Sequence, residues 1–200
     1  MKKEVQQIVK QGIVRESSSP YSSSVVMVGK TYGTHRVTID YRKLNKLTLF
    51  DSGPTVKPED IFAKLRSAKF YAKLDMTKGY WQIHMRSEDI LKTSFVTPDG
   101  CWEFIKMPFG AMSSAATYIK MMRRLTEGMK NIDHYIDDCL IYTDTWEEHV
   151  QVLQDFLVQV KKAGLTIKPS KSAIGCKRMD FLGHKIGNQE ITLQEENAVK

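Results

Sequence analysis

The chain has 200 residues, of which 42% are hydrophobic, so it can bury a sizeable core in one or two compact units. Its formal net charge of +7 suits a polyanionic partner, although many unrelated proteins carry a similar excess. Three cysteines without a CxxC pair argue against a disulfide framework and a zinc ribbon, and no apolar run is long enough to cross a membrane. We therefore expect a globular intracellular protein without a signal peptide, in the cytoplasm or the nucleus.

Helix and strand patterns alternate in the N-terminal part. Residues 2–11 carry apolar side chains on one helical face, and Gly12 ends that helix. After a serine-rich crossing, residues 25–28 and 35–41 predict a β-hairpin whose basic tip suits a phosphate. The tip sequence Gly29-Lys30-Thr31 is not a P-loop, because a strand follows it where a P-loop requires a helix.

The middle of the chain combines a helix with a strand that ends in an acid. Pro58 begins a helix that we expect to end near Ser67. Residues 69–76 then alternate apolar and polar side chains, which places Asp75 on the polar face of a strand. The apolar face carries Phe70, Ala72, Leu74 and Met76.

The C-terminal half adds two helices and two short strands. Residues 113–127 and 146–162 predict helices, the second with a capping box at its start. Two apolar pieces, residues 165–167 and 179–182, predict sheet edges. Because strands interleave with helices, we predict an α+β fold with a mainly antiparallel sheet.

Residues 134–142 predict a strand, an acidic turn and a second strand. Neighbouring side chains of a straight strand point to opposite faces, so Asp137 and Asp138 can converge only in a tight hairpin. Two carboxylates about 4 Å apart repel by about 4 kcal/mol at an effective dielectric of about 20, so a buried pair needs a proton or a cation. On the residues alone, the pair is either a divalent-metal site or a solvated turn.

Five motifs follow one another in a specific order. They are the strand that ends at Asp75, the KMPFG loop of residues 106–110, the YIDD sequence of residues 135–138, the segment 164–171 and the FLGH sequence of residues 181–184. In this order they resemble the reverse transcriptase domain of gypsy-type LTR retrotransposons and, more distantly, of retroviruses. The resemblance implies a right-hand polymerase fold of fingers and palm, with an antiparallel palm sheet backed by helices.

The resemblance implies that three carboxylates meet at one place. Asp75 falls on the family's first catalytic aspartate, and Asp137 and Asp138 fall on the pair of its Tyr-x-Asp-Asp motif. Two Mg²⁺ ions, for which Mn²⁺ can substitute, are expected there. Asp75 and Asp137 are the expected bridging ligands, with the Met76 carbonyl aiding one ion and Asp138 supporting the other.

A nucleotide pocket is implied in the same way. Arg36 falls on an arginine that contacts the triphosphate, with Lys30 as its partner at the hairpin tip. Tyr80 falls on an aromatic residue that packs beneath the sugar and favours deoxynucleotides, whereas Trp81 is expected in the core. Phe109 and Gly110 fall on the loop that lies beneath the incoming base in this family.

The last motif falls on the hairpin that positions the primer end. Its residues are Phe181, Leu182, Gly183 and His184, and we add Tyr135 because it is expected on the same strand face as Asp137. The implied division is mainly fingers over 1–70, palm with part of the fingers over 71–110, palm with the primer hairpin over 111–185, and the start of a truncated thumb over 186–200.

The implied activity is that of an RNA-directed DNA polymerase core, which adds dNTPs to a primer annealed to an RNA or DNA template. A different class stays open, in which the chain is a catalytically silent retroelement remnant that binds nucleic acid or another protein. An RNA-directed RNA polymerase is a weaker third possibility. Departures from the family pattern, such as His35 in place of a usual tryptophan, leave the three carboxylates unchanged.

Overall fold

The computed structural model describes residues 1–29, 35–50, 57–136, 138–187 and 190–194, including the backbone but not the side chains of His35 and Arg36. The α-helices are α1 (Lys2–Lys10), α2 (Arg42–Leu47), α3 (Pro58–Ser67), α4 (Ser87–Ile90), α5 (Ser114–Leu125) and α6 (Trp146–Lys162). The strands are β1 (Val14–Glu16), β2 (Ser24–Gly29), β3 (His35–Asp40), β4 (Phe70–Asp75), β5 (Phe95–Thr97), β6 (Gly100–Phe104), β7 (Ile132–Tyr135), β8 (Asp138–Thr143), β9 (Ala173–Cys176), β10 (Arg178–Phe181), β11 (His184–Gly187) and β12 (Glu190–Leu193). Short 3-10 turns occur at Gly79–Gln82, Leu91–Thr93 and Pro169–Lys171.

The chain forms two compact units, and each consists of two segments. Unit 1 comprises Met1–Ser52 and Lys78–Tyr118, and unit 2 comprises Gly53–Thr77 and Ile119–Lys200. Within the described residues, none of the helices combines the length and the apolar character that a membrane crossing requires.

Unit 1 contains a three-stranded antiparallel sheet in the order β1-β6-β5 and the β2–β3 hairpin. Arg15 and Glu103 are cross-strand partners in this sheet, and Arg15 Nε donates to the buried Glu103 carboxylate at 2.7 Å. Ser17 Oγ donates to the other oxygen of Glu103 at 2.6 Å, so this buried acid is fully paired. The apolar core of the unit contains Val5, Ile13, Val14, Ile39, Tyr41, Phe95 and Phe104.

Unit 2 is organised around an antiparallel sheet in the order β7-β8-β4-β9, with β4 in its interior. A second antiparallel sheet has the order β10-β11-β12, and α3 packs against β11 and β12. On the sheet that carries β4, α6 packs against β8 and β4. The core between α3 and these strands contains Ile61, Leu65, Ala68, Tyr71, Leu140, Met179, Phe181 and Ile186.

Most predicted elements are confirmed, including α3, the β2–β3 hairpin and the Thr145 cap of α6, whose Oγ1 accepts the Glu148 N–H at 3.3 Å. Residues 165–167, predicted as a sheet edge, lie beside the end of β4 but form no regular strand: Ile167 makes a single bridge to Met76, and the Thr77 N–H donates to the Thr166 carbonyl at 3.0 Å. This piece is bounded by Gly164, at φ 67°, and by the 3-10 turn at Pro169–Lys171. β9, which follows this turn, is the edge strand beside β4 and was not predicted.

Candidate active site

Asp75 and Asp138 face one another across the central strand pair of unit 2. Asp75 ends β4, Asp138 begins β8, and the two are direct partners in the antiparallel register. Because direct cross-strand partners carry their side chains on one face of a sheet, both carboxylates lie on the same face. Their side chains are 25% and 24% exposed, so each is partly withdrawn from water.

Each of these carboxylates has a lysine beside it. Lys73 Nζ lies 2.8 Å from Asp138 Oδ2, and Lys171 Nζ lies 3.9 Å from Asp75 Oδ2. Neither lysine was predicted as a site residue. Lys73 precedes Asp75 by two positions in β4, so the period of two along the strand is the signal that would have found it.

The backbone at the end of β4 is held by the segment that precedes β9. The Lys168 N–H donates to the Asp75 carbonyl at 2.8 Å, and the Asp75 N–H donates to Ser172 Oγ at 3.1 Å. The neighbouring Met76 side chain is buried, with 3% exposure. The role of the Met76 carbonyl as a metal ligand stays a prediction.

The acidic hairpin is as tight as the sequence predicts. Tyr135 and Asp138 are direct partners, so only Ile136 and Asp137 separate β7 from β8. Ile136 has φ 53°, a conformation that β-branched residues rarely adopt and that costs about 1–3 kcal/mol. Asp137 lies outside the described residues, and its part in the site stays a prediction.

The donor set at this hairpin fits a divalent cation. Asp75 and Asp138 offer hard carboxylate oxygens, and Mg²⁺ is usually bound by one or two carboxylates together with substrate phosphates. In the part of the chain that the structure describes, which omits Asp137, no three His, Cys, Asp or Glu side chains are grouped to hold a metal ion. The described pair therefore supplies part of a metal site.

The β10–β11 hairpin packs beside the acidic hairpin. Phe181 and His184 are direct partners, and the turn between them places Leu182 at φ 47° and Gly183 at φ 75°. The buried Phe181 ring meets the Tyr135 ring edge-on, with centroids 6.0 Å apart. The residues predicted to position the primer thus lie together in unit 2.

An aromatic cluster in unit 1 contains the predicted sugar-contacting residue. The Tyr80 ring lies 4.9 Å from the Phe109 ring and 5.4 Å from the Tyr118 ring, measured between centroids. Gly79 allows this packing, because a Cβ at its position would lie 2.7 Å from Tyr118 Cε2. The structure therefore brings the Tyr80 and Phe109 rings into contact, while their roles toward a nucleotide stay predictions.

A cavity of about 430 Å³ in unit 1 is bordered by α1, β3 and residues 106–113, which we call the Phe109 loop. Phe109 and Gly110 both line it, together with Lys78 and Trp81. Lys78 Nζ donates to Gln11 Oε1 at 2.8 Å and lies 4.7 Å from the centre of the Trp81 ring. The cavity thus combines apolar side chains with the Lys78 ammonium group, the Glu4 carboxylate and the amides of Gln7 and Gln11.

Trp81 is partly buried and packs against the apolar core of unit 1, which agrees with the expectation, and it also lines this cavity. Its buried Nε1 has no hydrogen-bond partner among the described residues. Tyr80 and Trp81 lie in a 3-10 turn, where successive side chains are about 120° apart, so they point in different directions. A pattern of adjacent aromatic letters does not reveal which of the two faces a cavity.

Lys30 and Arg36 are the two basic residues predicted to contact the triphosphate. Lys30 lies outside the described residues. The backbone of Arg36 pairs with Val28 in the β2–β3 hairpin, and its side chain is outside the description. Their contacts with a nucleotide stay predictions.

Residues 28–186 match the family model described as reverse transcriptase (RNA-dependent DNA polymerase). The matched residues include the antiparallel sheet of unit 2, in which Asp75 and Asp138 are paired beside the β7–β8 hairpin. This chain belongs to the reverse transcriptase family.

Relatives place it among the retroviral-type retrotransposon sequences. The chain is 35% identical over 189 residues to the retrovirus-related Pol polyprotein from transposon 297 of Drosophila melanogaster, a match that covers 90% of this chain and 18% of that protein. It is 32% identical over 203 residues to the transposon Tf2-3 polyprotein of Schizosaccharomyces pombe, covering 100% of this chain and 15% of that protein. The chain thus spans less than a fifth of the length of either relative.

A solved structure confirms the fold. The chain matches the foamy viral protease-reverse transcriptase in complex with double-stranded DNA with a TM-score of 0.89 and 25% identity, over 98% of this chain and 35% of that one. The predicted α+β polymerase fold and the retrotransposon resemblance are therefore both confirmed.

Proposed function

We propose that this chain is the core of an RNA-directed DNA polymerase, which adds deoxynucleotides to a primer 3′-hydroxyl. The observation that carries the proposal is the direct cross-strand pairing of Asp75 and Asp138, partly buried on one sheet face. Two carboxylates held this close favour a bound cation between them. The match of residues 28–186 to the reverse transcriptase family supports the identity of the reaction.

In this proposal Asp75, Asp137 and Asp138, together with the Met76 carbonyl, would hold two Mg²⁺ ions. When bound, such a pair activates the attacking oxygen and stabilises the leaving group of an in-line displacement. The protein supplies a fixed carboxylate geometry, because Asp75 is tied at both its N–H and its carbonyl. Lys73 balances the charge of Asp138 when the cation is absent.

The nucleotide binds to unit 1 through Tyr80 beneath the sugar, Phe109 and Gly110 beneath the base, and Arg36 with Lys30 at the triphosphate. The 430 Å³ cavity that Phe109 and Gly110 line supports this assignment, because pockets for small ligands typically measure about 300–1,000 Å³. The Tyr80–Phe109 contact supports a shared role of these two residues. Unit 1 then corresponds to the fingers and unit 2 to the palm.

The primer end is positioned by Tyr135 and by Phe181 to His184, on an RNA or DNA template. The Tyr135–Phe181 ring contact supports this, since it links the proposed primer hairpin to the strand that leads into the acidic turn. The foamy viral protease-reverse transcriptase, whose solved structure is a complex with double-stranded DNA, supports a nucleic-acid duplex as the partner.

Primer extension tests the proposal. The chain is incubated with an RNA template, an annealed DNA primer, dNTPs and Mg²⁺ or Mn²⁺, beside the Asp75→Asn variant. We expect the wild-type chain to extend the primer and Asp75→Asn to lose about 10²–10³-fold in rate or more, as when a main electrostatic group of an active site is removed. Asp133→Asn is the matched control, because Asp133 is a partly buried acid of the same sheet that pairs with Lys64 at 2.9 Å.

Two results would contradict the proposal. One is equal extension by the wild-type chain and Asp75→Asn. The other is a folded wild-type chain that binds the primer-template in a salt-sensitive manner but does not extend it. The second result would favour the alternative of a silent nucleic-acid-binding module.

A further inference from the structure

We propose that Asn45 is a positioning residue that fixes the Phe109 loop and thereby sets the affinity for the incoming nucleotide. This inference rests on the proposed function, because it assigns a catalytic consequence to a loop contact. Asn45 was not predicted as a site residue from the sequence. It acts through Phe109 and Gly110 and does not itself touch the nucleotide.

Both ends of the Asn45 amide bind the backbone of the Phe109 loop. Asn45 Nδ2 donates to the Gly110 carbonyl at 2.9 Å, and Asn45 Oδ1 accepts the Met112 N–H at 2.9 Å. A carbonyl can only accept and an N–H can only donate, so these two partners also fix the orientation of the amide. Few other side chains carry a donor and an acceptor in this arrangement, which mimics a neighbouring β-strand.

The loop is also anchored on the N-terminal side of Phe109, where the Met107 N–H donates to the Ile83 carbonyl at 2.8 Å. Ser114 Oγ donates to the Pro108 carbonyl at 2.9 Å, which fixes the residue before Phe109. Gly110 has φ 88°, in the left-handed region, so the chain bends sharply between the two anchored carbonyls. Removal of the Asn45 bonds would therefore release the loop on the C-terminal side of Phe109.

The backbone of Asn45 is itself held in place by hydrogen bonds. Its own N–H donates to the carbonyl of Tyr41 at 2.7 Å, and Tyr41 is 2% exposed. The Tyr41 hydroxyl in turn donates to the Thr93 carbonyl at 2.8 Å. By contrast, Leu47 at the end of α2 is 85% exposed, so this short helix presents its outer side to solvent while Asn45 holds the loop.

The position of the Phe109 loop affects the proposed nucleotide site because the Phe109 ring packs on both Tyr80 and Trp81. The ring centroids are 4.9 Å and 5.6 Å apart, respectively. A shift of the Phe109 loop would move the floor of the proposed base-binding surface and one wall of the 430 Å³ cavity. The expected effect is on nucleotide affinity, since the carboxylates belong to other elements, β4 and β8.

The test compares Asn45→Leu and Asn45→Asp with the control Thr48→Val. Leucine is nearly the same size but makes neither bond, whereas aspartate can still accept the Met112 N–H but repels the Gly110 carbonyl. Thr48 lies three residues further on and its Oγ1 donates to the Leu44 carbonyl at 2.9 Å, so its replacement removes a hydrogen bond that does not involve the loop.

Two measurements are made on each variant. Hydrogen exchange at the Met112 amide reports the bond itself, and single-nucleotide incorporation gives KM for the dNTP and kcat separately. We expect Asn45→Leu to lose the protection of the Met112 amide and to raise KM about tenfold, which corresponds to about 1.4 kcal/mol, with little change in kcat. Asn45→Asp should keep part of the protection but share the higher KM, and Thr48→Val should resemble the wild type in both.

The outcomes separate this inference from the proposed function. Unchanged Met112 exchange in Asn45→Leu, or a fall in kcat with unchanged KM, would overturn the positioning role. A wild-type chain that incorporates no nucleotide would overturn the proposed function and, together with it, the catalytic consequence of the Asn45 contacts. In that case the exchange data would still show whether Asn45 holds the loop.

Discussion

Lys73 and Asp138 form a close ion pair on the sheet face that also carries Asp75. The pair is separated by 2.8 Å, and the two side chains are only 28% and 24% exposed. Exposed pairs of this kind contribute about 0–1 kcal/mol, but here a second carboxylate, Asp75, is the cross-strand partner of the first. Lys73 therefore offsets a repulsion that would otherwise act in the metal-free protein.

We expect Lys73→Met to lower the free energy of unfolding of the metal-free protein by about 1 kcal/mol. Added Mn²⁺ or Mg²⁺ should then stabilise the variant more than the wild type, because the cation no longer competes with an ammonium group for Asp138. Thermal denaturation with and without the cation measures both effects.

Lys64→Met is the matched control. Lys64 pairs with Asp133 at 2.9 Å, so its replacement should lower stability without changing the stabilisation that the cation adds. Equal cation-dependent shifts for Lys73→Met and the wild type would show that Lys73 does not compete for the site.

Single residues differ in how far the sequence could predict them. Asp75 was placed correctly because the alternation along β4 is a local property of the chain. Asn45 could not be predicted, because the carbonyl and N–H that it binds belong to residues 65 and 67 positions away. Only the folded chain brings these backbone groups to one side chain.

The turn between β10 and β11 holds one residue, Leu182, in an unfavourable backbone conformation. Two-residue hairpin turns of this type need positive φ at both positions, which suits Asn-Gly. Here Leu182 has φ 47° ahead of Gly183, and for an ordinary residue this region costs about 1–2 kcal/mol. Leu182 is also 39% exposed, so burial offsets only part of the strain.

We expect Leu182→Asn to raise the free energy of unfolding by about 0.5–1 kcal/mol, because asparagine tolerates this conformation. We also expect it to slow primer extension, because it removes an apolar side chain from the proposed primer hairpin. Urea denaturation and primer extension at low primer-template concentration measure the two effects.

Leu182→Ala separates these effects, because alanine removes the side chain but keeps the unfavourable conformation. It should share the slower extension and show no gain in stability. A gain of equal size in both variants would show that the strain at Leu182 is not the cause.

The helices and strands that the sequence predicts correctly are those whose start or end signals lie within the element itself. α3 begins at Pro58 and α6 begins after its Thr145 cap, and both signals lie within the helix that they specify. β9 was missed because its four residues have no clear alternation, and they are strand only because β4 offers an edge to pair with. Edge pairing is a tertiary effect that a short sequence window does not contain.

A buried histidine links the stability of the molecule as a whole to pH. His149 is fully buried, its Nδ1 lies 3.1 Å from Thr143 Oγ1, and its Nε2 has no hydrogen-bond partner among the described residues. Burial lowers the pKa of His149 below its ordinary value of 6.5. Protonation would place a charged, unpaired N–H in the interior, which the folded state disfavours.

The sign of the pH effect follows from the lowered pKa. Below pH 6.5 the unfolded chain binds more protons than the folded one, so the free energy of unfolding falls as the pH falls. We expect His149→Phe to reduce this fall while keeping the ring contacts with Trp146 and Phe70. Urea denaturation at pH 7.5 and 5.5 measures the difference, and an unchanged pH dependence would exclude His149 as its source.

The order of strands β7-β8-β4-β9 also determines when the carboxylate pair can form during protein synthesis. β4 leaves the ribosome before either of its neighbours, and β8 begins only after the second segment of unit 1 has been made. Translation proceeds at about 5–20 residues per second, so Asp75 waits roughly 3–13 s for Asp138. During that interval both edges of β4 are unpaired. Because unpaired strand edges promote aggregation, we expect chaperones to bind a nascent chain at this stage. Unit 1 can therefore be completed first, and the carboxylate pair forms only later in synthesis.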